Sequence, residues 1–209
     1  MSEKPDLSAA YDLRTPGDSK RLYRIWAETY DADFVEAHGY RMPRRIAEVY
    51  VAQGGGWPCL DAGCGTGAIG RHMPEGAVLD GLDISPDMLA KAREGGRYRA
   101  LYEADLTAPL PLPDAHWAGL VSAGTFTTGH VGPDAIPRLL PHLVPGALAA
   151  LTVKTGFFEL AGFEGVLRDL VDAGRITALS RDTETVYAEG RAPEGHDADT
   201  VQVVTFRRV

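Results

Sequence analysis

The feature that most constrains this chain is a glycine-rich turn that follows a short apolar segment. Residues 57–61 are typical of a strand that ends at Asp61, and Gly63, Gly65 and Gly67 follow at alternate positions. Glycine lets the backbone turn sharply and approach a ligand closely. A helix after such a turn directs its N-terminal amides at the ligand, and a carboxylate before it can hold a cationic group. The segment therefore predicts a ligand-binding strand, turn and helix.

The glycine spacing by itself leaves the ligand open. Residues 65–70 fit the dinucleotide pattern G-x-G-x-x-G, and residues 63–68 fit its alanine-ending variant. Asp83 follows Gly63 by twenty positions, where an acid that binds a ribose is expected. A cofactor such as NAD is therefore one interpretation. A purely structural turn is another, and the glycine and alanine positions after an apolar strand make it the weaker one.

Two helices are predicted before the first strand. In residues 20–38 apolar side chains recur every four positions, and residues 43–51 form a second helix that begins with a proline and ends before three consecutive glycines. We predict that residues 1–53 form an N-terminal helical cap and residues 54–209 an α/β core that binds the cofactor. The chain 1–209 is predicted to be a single domain.

Strand and helix patterns alternate beyond residue 54. Alternation of this kind predicts a parallel sheet with right-handed crossovers, whereas the last two apolar runs are typical of an antiparallel pair. We therefore predict an α/β fold with a doubly wound, mostly parallel seven-stranded sheet, helices on both faces and an antiparallel last strand. The predicted strands are 57–61, 77–83, 99–104, 117–123, 146–155, 176–188 and 200–209, and the predicted helices are 86–94, 133–143 and 158–173.

Composition argues against several classes of protein. The formal net charge is -8 and the pI about 5.2, so a nucleic-acid or anionic-membrane surface, which needs clustered Lys and Arg, is not expected. Residues 1–10 are polar and no long apolar run exists, so neither a secretory signal nor a membrane span is predicted. Cys59 and Cys64 provide neither a disulfide framework nor a zinc site, so we expect reduced thiols, no metal and a cytoplasmic location.

Three segments give the glycine turn a more specific interpretation. Residues 61–67 (DAGCGTG) resemble the first signature of the class I S-adenosylmethionine-dependent methyltransferases. Residues 81–92 (GLDISPDMLAKA) resemble the second signature, and residues 102–106 (YEADL) resemble the third. The resemblance implies S-adenosylmethionine as the cofactor, S-adenosylhomocysteine as its product and the doubly wound fold.

Other segments carry the resemblance further, to about residues 20–155. Pro145 and Gly146 are similar to a Pro-Gly-Gly motif of the family, with Ala147 in place of the second glycine. Residues 22–31 and 121–126 are similar to a small branch that includes the Williams–Beuren-region methyltransferase-like proteins. That branch implies no defined substrate.

The resemblance also implies roles for individual residues in binding the cofactor. An acid in the place of Asp83 holds the ribose hydroxyls, and residues in the places of Ile84 and Met88 pack near the adenine. The third signature contributes an acceptor for the adenine amino group and a backbone amide. The remaining expected contacts are with the methionine part of the cofactor. The residues expected to contact adenine through the third signature are Asp105 and Leu106. Those expected to contact the methionine part are Tyr30, Asp61, Gly63, Cys64, Gly65 and Ser122.

The methyl acceptor is expected beyond the fourth strand. Transfer from a sulfonium is an in-line displacement, which needs a positioned nucleophile and exclusion of water. It needs a general base only if the accepting atom is protonated. His130 is the candidate base, and a loop histidine bonded to the backbone is the alternative. The candidate substrate-binding residues are Gly124, Thr125, Phe126 and His130, and Cys64 is not expected to be a nucleophile.

Three functions follow from these observations. The first is methyl transfer to an acceptor, which the compact length and acidic charge indicate is a small molecule. The second is an NAD-dependent oxidoreductase, but it leaves the matches at Asp105 and at Pro145-Gly146 unexplained. The third is a non-catalytic module that binds S-adenosylmethionine. The oligomeric state is not predicted.

Overall fold

The described part of the chain, residues 38–209, forms an α/β fold in a computed structural model. One seven-stranded sheet has the strand order β3-β2-β1-β4-β5-β7-β6. The strands are β1 (Cys59–Ala62), β2 (Leu79–Asp83), β3 (Ala100–Glu103), β4 (Trp117–Phe126), β5 (Leu143–Lys154), β6 (Ile176–Thr185) and β7 (Thr200–Arg208). The helices are α1 (Met42–Ala52), α2 (Pro86–Glu94), α3 (Ala135–Leu139), α4 (Thr155–Leu160) and α5 (Phe163–Asp172).

Strand direction confirms the predicted doubly wound sheet. The first five strands pair in parallel, and β7 lies antiparallel between β5 and β6. The strand order reverses between β1 and β4, and ligands bind at such a switch point beyond the carboxyl ends of the strands. Asp61 of β1 lies in register with Gly81 of β2 and Val121 of β4. The glycine turn therefore emerges between β2 and β4.

Two apolar layers cover the two faces of the sheet. On one face, α3 and α5 bury Ile136 and Phe163 against the strands. On the other, α1 buries Met42, Ile46 and Tyr50, all fully inaccessible to solvent. This helix has a proline in its first turn and is followed by Gly54 in the left-handed region, which agrees with the predicted helix 43–51.

The segment after the glycine turn differs from prediction. No α-helix follows: residues 65–69 are turns, and a 3-10 helix covers only Gly70–His72. Gly65 and Gly67 have positive φ values of 52° and 88°, which are incompatible with a right-handed helix. Met73 is extended before Pro74, which prevents the segment from continuing as a helix. The prediction that helix N-terminal amides face the ligand here was wrong.

Other boundaries moved for local reasons. The predicted helix 158–173 is split into α4 and α5 at Gly162, whose φ is +79°. Pro141 ends α3 early, so a 3-10 helix (Leu140–His142) completes the predicted helix 133–143. By contrast, α2 begins as predicted, because the Ser85 hydroxyl accepts from the Met88 amide and Pro86 occupies the first position.

The predicted N-terminal cap is only partly within the described residues. Its second helix is confirmed as α1. Its first helix, 20–38, lies almost entirely outside the described residues, as does Tyr30. The division into a cap, 1–53, and a core, 54–209, within a single domain stays a prediction.

Candidate cofactor and acceptor site

Gly63 begins the site because its position admits no side chain. Its φ is +75°, and an added Cβ would lie 2.1 Å from Oγ1 of Thr125. The amides of Gly63 and Cys64 both donate to the carbonyl of Leu82, at 2.7 and 2.9 Å. The turn is therefore pinned to the end of β2 on one side and packed against β4 on the other.

Hydroxyl groups of β4 support the turn from below. Ser122 is fully buried, and its Oγ donates to the carbonyl of Ala62 at 2.6 Å. The Thr125 hydroxyl donates to the same carbonyl at 3.2 Å. The structure thus places Ser122 beneath the turn, where its hydroxyl contacts the protein backbone.

Asp83 links the turn to the start of α2. Its Oδ2 accepts from the Gly65 amide and its Oδ1 accepts from the Ser85 amide, each at 2.8 Å. Burial raises the pKa of Asp83 above its usual value, and the backbone amides oppose that change. Each carboxylate oxygen has two lone pairs, so the carboxylate can accept a further donor beside these amides. The residue predicted to bind ribose is thereby fixed at the carboxyl end of β2.

Asp61 carries an incompletely satisfied buried carboxylate. It is 1% exposed, its Oδ2 accepts from the Tyr98 hydroxyl at 2.7 Å, and its Oδ1 has no hydrogen-bond partner among residues 38–209. Burial, and secondarily the nearby charge of Asp83, raise the pKa of Asp61 to about 7, whereas the Tyr98 hydrogen bond lowers it. A buried carboxylate oxygen without a donor is costly. The site therefore fits a ligand that brings a cationic donor, such as the ammonium of a methionine group.

The second and third signatures meet at the ends of β2 and β3. The Ala104 amide donates to the carbonyl of Asp83 at 3.1 Å, which joins the two strand ends. Met88 and Leu106 are buried, and Ile84 is half-buried. The Oδ1 of Asp105 accepts from the amide and from the hydroxyl of Thr107, at 2.8 and 2.6 Å. The residues predicted for adenine are thus gathered on one side of the turn.

The predicted acceptor residues have different surroundings. Gly124 has a φ of +80° and its amide donates to Thr152 Oγ1, while the Tyr40 hydroxyl lies 2.9 Å from the place of a Cβ on Gly124. The Phe126 ring is buried in the core and meets Phe163 edge to face. The structure therefore places Phe126 in the core rather than facing a ligand, because β4 continues to residue 126 with an irregular register after Ser122.

His130 and Cys64 have environments that bear on reactivity. The Nδ1 of His130 lies 3.1 Å from the carbonyl of Thr128, and burial lowers the pKa of its imidazole. A lowered pKa keeps histidine neutral near pH 7 and able to accept a proton. Burial raises the pKa of the Cys64 thiol well above its usual value, so this side chain is a poor nucleophile.

Two sets of residues at this edge were missed by the sequence analysis. Tyr98 contacts Asp61 from the connection before β3. At the end of β5, Oδ2 of Asp199 lies 3.3 Å from Lys154 Nζ and 2.9 Å from Nδ1 of His196. His196 and Asp199 lie in the polar connection between β6 and β7, and no local pattern signals that they meet the end of β5.

Gly63→Ala is expected to weaken S-adenosylhomocysteine binding at least about tenfold and to lower stability by about 1–3 kcal/mol. A left-handed φ costs a side chain roughly 1–2 kcal/mol, and the contact with Thr125 adds to it. Calorimetric titration and thermal unfolding measure both. Gly76→Ala is the matched control, because Gly76 has a φ of +81° and open space around it. Unchanged affinity in folded Gly63→Ala would contradict the assignment of the turn.

Comparisons with known proteins place this geometry in a family. A family model described as a methyltransferase domain matches residues 59–146, which hold the glycine turn and all three signatures. Human methyltransferase-like protein 27 is 33% identical over 177 residues, which cover 79% of this chain and 71% of that protein. This match agrees with the branch indicated by residues 22–31 and 121–126.

Two further similarities are more distant. Trans-aconitate 2-methyltransferase of Mycolicibacterium gilvum is 33% identical over 68% of this chain, but the match spans only 49% of that protein. Among solved structures, the cyclase SpnF has a TM-score of 0.64 and 19% identity, with 94% of this chain and 97% of that chain covered. The structural likeness supports the fold, and the sequence matches carry the activity. The chain therefore belongs to the class I S-adenosylmethionine-dependent methyltransferases and is an enzyme that transfers a methyl group from this cofactor.

Proposed function

We propose that the methyl acceptor is a small molecule bound at the carboxyl ends of β4 and β5. The observation that carries this proposal is the set of side chains at that edge. Thr127, His130 and Lys154 lie there with Tyr40 above Gly124, and the Thr127 hydroxyl is buried without a partner among the described residues. A buried hydroxyl without a partner can form a hydrogen bond with a bound ligand.

Charge and the named relatives support the same proposal. A net charge of -8 disfavours nucleic acid as the acceptor. One relative is named for methylating trans-aconitate, which is a small carboxylic acid. A carboxylate is already deprotonated near pH 7 and needs no general base. Small carboxylic acids are therefore the first acceptors to test.

The cofactor is assigned to the opposite side of the turn. We propose that Asp61 holds the methionine ammonium, that Asp83 holds the ribose hydroxyls and that Asp105 and the Leu106 amide hold adenine. Ile84 and Met88 supply apolar contacts, the backbone of residues 63–65 lies against the methionine group, and Tyr30 is proposed to meet its carboxylate. The cofactor supplies the methyl group as a sulfonium, which is a good leaving group. The residues of this chain orient it and exclude water.

We also propose that the protein is cytoplasmic. Within residues 38–209 none of the helices combines the length and apolarity required to cross a membrane. Cys59 and Cys64 are both free and buried. Reduced thiols are usual in a reducing compartment, which supports the proposed cytoplasmic location.

The test is methyl transfer to a panel of acceptors. The purified protein is incubated with S-adenosylmethionine and with trans-aconitate, other small carboxylic acids, phenols, amines and thiols, and S-adenosylhomocysteine formation is measured. Turnover with one small-molecule class supports the proposal, and a radiolabelled methyl group found only in protein or RNA of a cell extract contradicts it. NAD serves as the parallel ligand in a binding titration, and no binding of NAD is expected.

His130→Ala is expected to leave S-adenosylhomocysteine affinity within about twofold of the wild type. The imidazole lies beside the carbonyl of Thr128, in the loop after β4 on the acceptor side of the site. With a protonated acceptor, loss of a base would lower kcat about 100-fold, whereas a carboxylate acceptor would leave kcat nearly unchanged. Collapse of cofactor binding in the folded variant would move His130 to the cofactor side.

A further inference from the structure

Tyr98 fills the space beneath the glycine turn. It lies in the connection between α2 and β3, outside all three sequence signatures. Carbon atoms of its ring lie 2.9 Å from the place of a Cβ on Gly67 and 3.1 Å from that on Gly81, and its hydroxyl lies 3.0 Å from that on Gly70. Three glycines, one in the turn, one in the 3-10 helix and one in β2, thus leave room for one aromatic ring that packs against the turn.

The hydroxyl of Tyr98 joins two parts of the site. It donates to Oδ2 of Asp61 at 2.7 Å and accepts from the backbone amide of Gly70. One hydroxyl group therefore connects the end of β1 to the start of the 3-10 helix. A phenol that donates and accepts in this way has its orientation fixed.

The neighbouring Arg97 secures the same segment. Its Nε donates to the carbonyl of Gly70 at 2.9 Å, and its Nη2 donates to the carbonyls of Met73 and Pro74, both at 3.0 Å. These carbonyls belong to the segment where the predicted helix is missing. Arg97 and Tyr98 together bond three carbonyls and one amide of residues 70–74.

We propose that Tyr98 is a positioning residue of the cofactor site. Tyr98 holds Asp61 so that Oδ1 of Asp61 faces the cationic end of the cofactor. This inference rests on the proposed role of Asp61. Tyr98 occupies one carboxylate oxygen, and the other stays buried and without a partner among the described residues. The arrangement leaves Oδ1 able to accept a further donor.

The electrostatics around Asp61 agree with this role. The titratable groups that interact electrostatically with Asp61 are Tyr98, Asp83, Cys64 and Cys59. Burial raises the pKa of both thiols, so they are neutral near pH 7, and Asp83 disfavours a second negative charge nearby. The Tyr98 hydrogen bond favours the ionised form of Asp61, which is the form that attracts an ammonium group.

Tyr98→Phe tests the proposal through the pH dependence of cofactor binding. S-adenosylhomocysteine affinity is measured by calorimetry from about pH 6 to about pH 8.5. Losing a hydrogen bond to a charged group is expected to weaken binding about tenfold at pH 7 and to move the midpoint of the profile up by about one pH unit. Affinity near the wild-type value at the highest pH supports a role exerted through ionisation of Asp61. An equal loss at every pH, or no loss, overturns the proposal.

Tyr50→Phe is the matched control. Tyr50 is also a buried tyrosine whose ring lies against glycines, Gly55 and Gly119, and its hydroxyl donates to the carbonyl of Gly56. It belongs to α1, and its hydrogen-bond partner precedes β1, whereas the glycine turn follows β1. Its variant is expected to lose stability while the pH profile of binding keeps its midpoint. A shift like that of Tyr98→Phe would assign the effect to general loosening and overturn the proposal.

A double-mutant cycle keeps the proposal testable if Tyr98→Phe binds too weakly to titrate. Unfolding by urea is measured for Tyr98→Phe, Asp61→Ala and the double variant near pH 8, because alanine at position 61 removes the acceptor of the Tyr98 hydroxyl. A coupling between the two positions supports the direct contact, and additive effects overturn it. Cofactor binding by Asp61→Asn separates two failures. Wild-type affinity in this variant would reject the role of Asp61 and the inference together, whereas lost affinity there with normal binding in Tyr98→Phe would reject the inference alone.

Discussion

Replacing Asp83 with asparagine is expected to weaken the affinity for S-adenosylhomocysteine at least about 100-fold, in a protein that remains folded. The carboxylate accepts from the amides of Gly65 and Ser85 and is proposed to accept from two ribose hydroxyls. Asparagine has one acceptor oxygen, so its NH2 group would face a backbone N–H that needs an acceptor. Charge-assisted hydrogen bonds contribute about 1.5–3 kcal/mol each, and two are weakened at once.

Calorimetric titration with S-adenosylhomocysteine measures this effect. Circular dichroism and thermal unfolding establish that the variant is folded. Asp172→Asn provides the matched control, because Asp172 is an exposed aspartate at the end of α5 on another part of the surface. We expect its affinity to equal that of the wild type. Affinity within about threefold of the wild type in Asp83→Asn would show that another group holds the ribose.

The parts of the site that were predicted from sequence are those set by local chemistry. An apolar strand, alternate glycines and an acid at the end of the next strand lie within residues 59–83 and form a local pattern. The positive φ of Gly63 and the Ser85 cap of α2 are backbone requirements, and both are present. Parallel pairing of β1, β2 and β4 then brings Asp61 and Asp83 to one edge.

The parts that could not be predicted depend on contacts between distant segments. Tyr98 lies 37 positions from Asp61, and its ring is placed by glycines from two different segments. Nothing local distinguishes it from any aromatic residue before a strand. The contacts of Arg97 with the carbonyls of Gly70 and Met73 are also distant in sequence. The missing helix has the local causes given above, the positive φ of Gly65 and Gly67 and the extended backbone before Pro74.

Side-chain direction along β4 was a further limit. Strand alternation assigns side chains to faces only while the register is regular. The pairing of β4 with β5 shifts between Ser122 and Phe126. After that shift, counting residues no longer tells which side chain faces a ligand, and Phe126 points into the core instead.

Asp61→Asn is expected to lose S-adenosylhomocysteine affinity at least about tenfold and yet to be more stable than the wild type near pH 8. Burial raises the pKa of Asp61 to about 7 in the folded protein, from 3.8 for an ordinary aspartate. Between about pH 4 and pH 7, the folded state therefore holds a proton on Asp61 that the unfolded state has already released. The protonated carboxyl contributes stability below about pH 4, and this contribution is lost as pH rises through 7.

The size of this loss follows from the pKa difference. Each pKa unit corresponds to about 1.4 kcal/mol, so the wild type is expected to lose up to roughly 4 kcal/mol between these limits through Asp61. Asparagine does not ionise, and its oxygen can still accept from Tyr98. Its amide group stays unsatisfied in the place of Oδ1, which reduces the expected gain at pH 8 to about 1–2 kcal/mol.

Urea unfolding of both proteins near pH 5 and near pH 8 measures the difference. The advantage of Asp61→Asn is expected to be larger at the higher pH, and an equal difference at both values would show that Asp61 does not change its ionisation on folding. Adding S-adenosylhomocysteine at pH 8 should stabilise the wild type strongly, because the ammonium of the ligand compensates the buried charge. The variant should respond weakly. A carboxylate that lowers stability when no ligand is bound, and that becomes favourable when a cation is bound, is retained for binding rather than for folding.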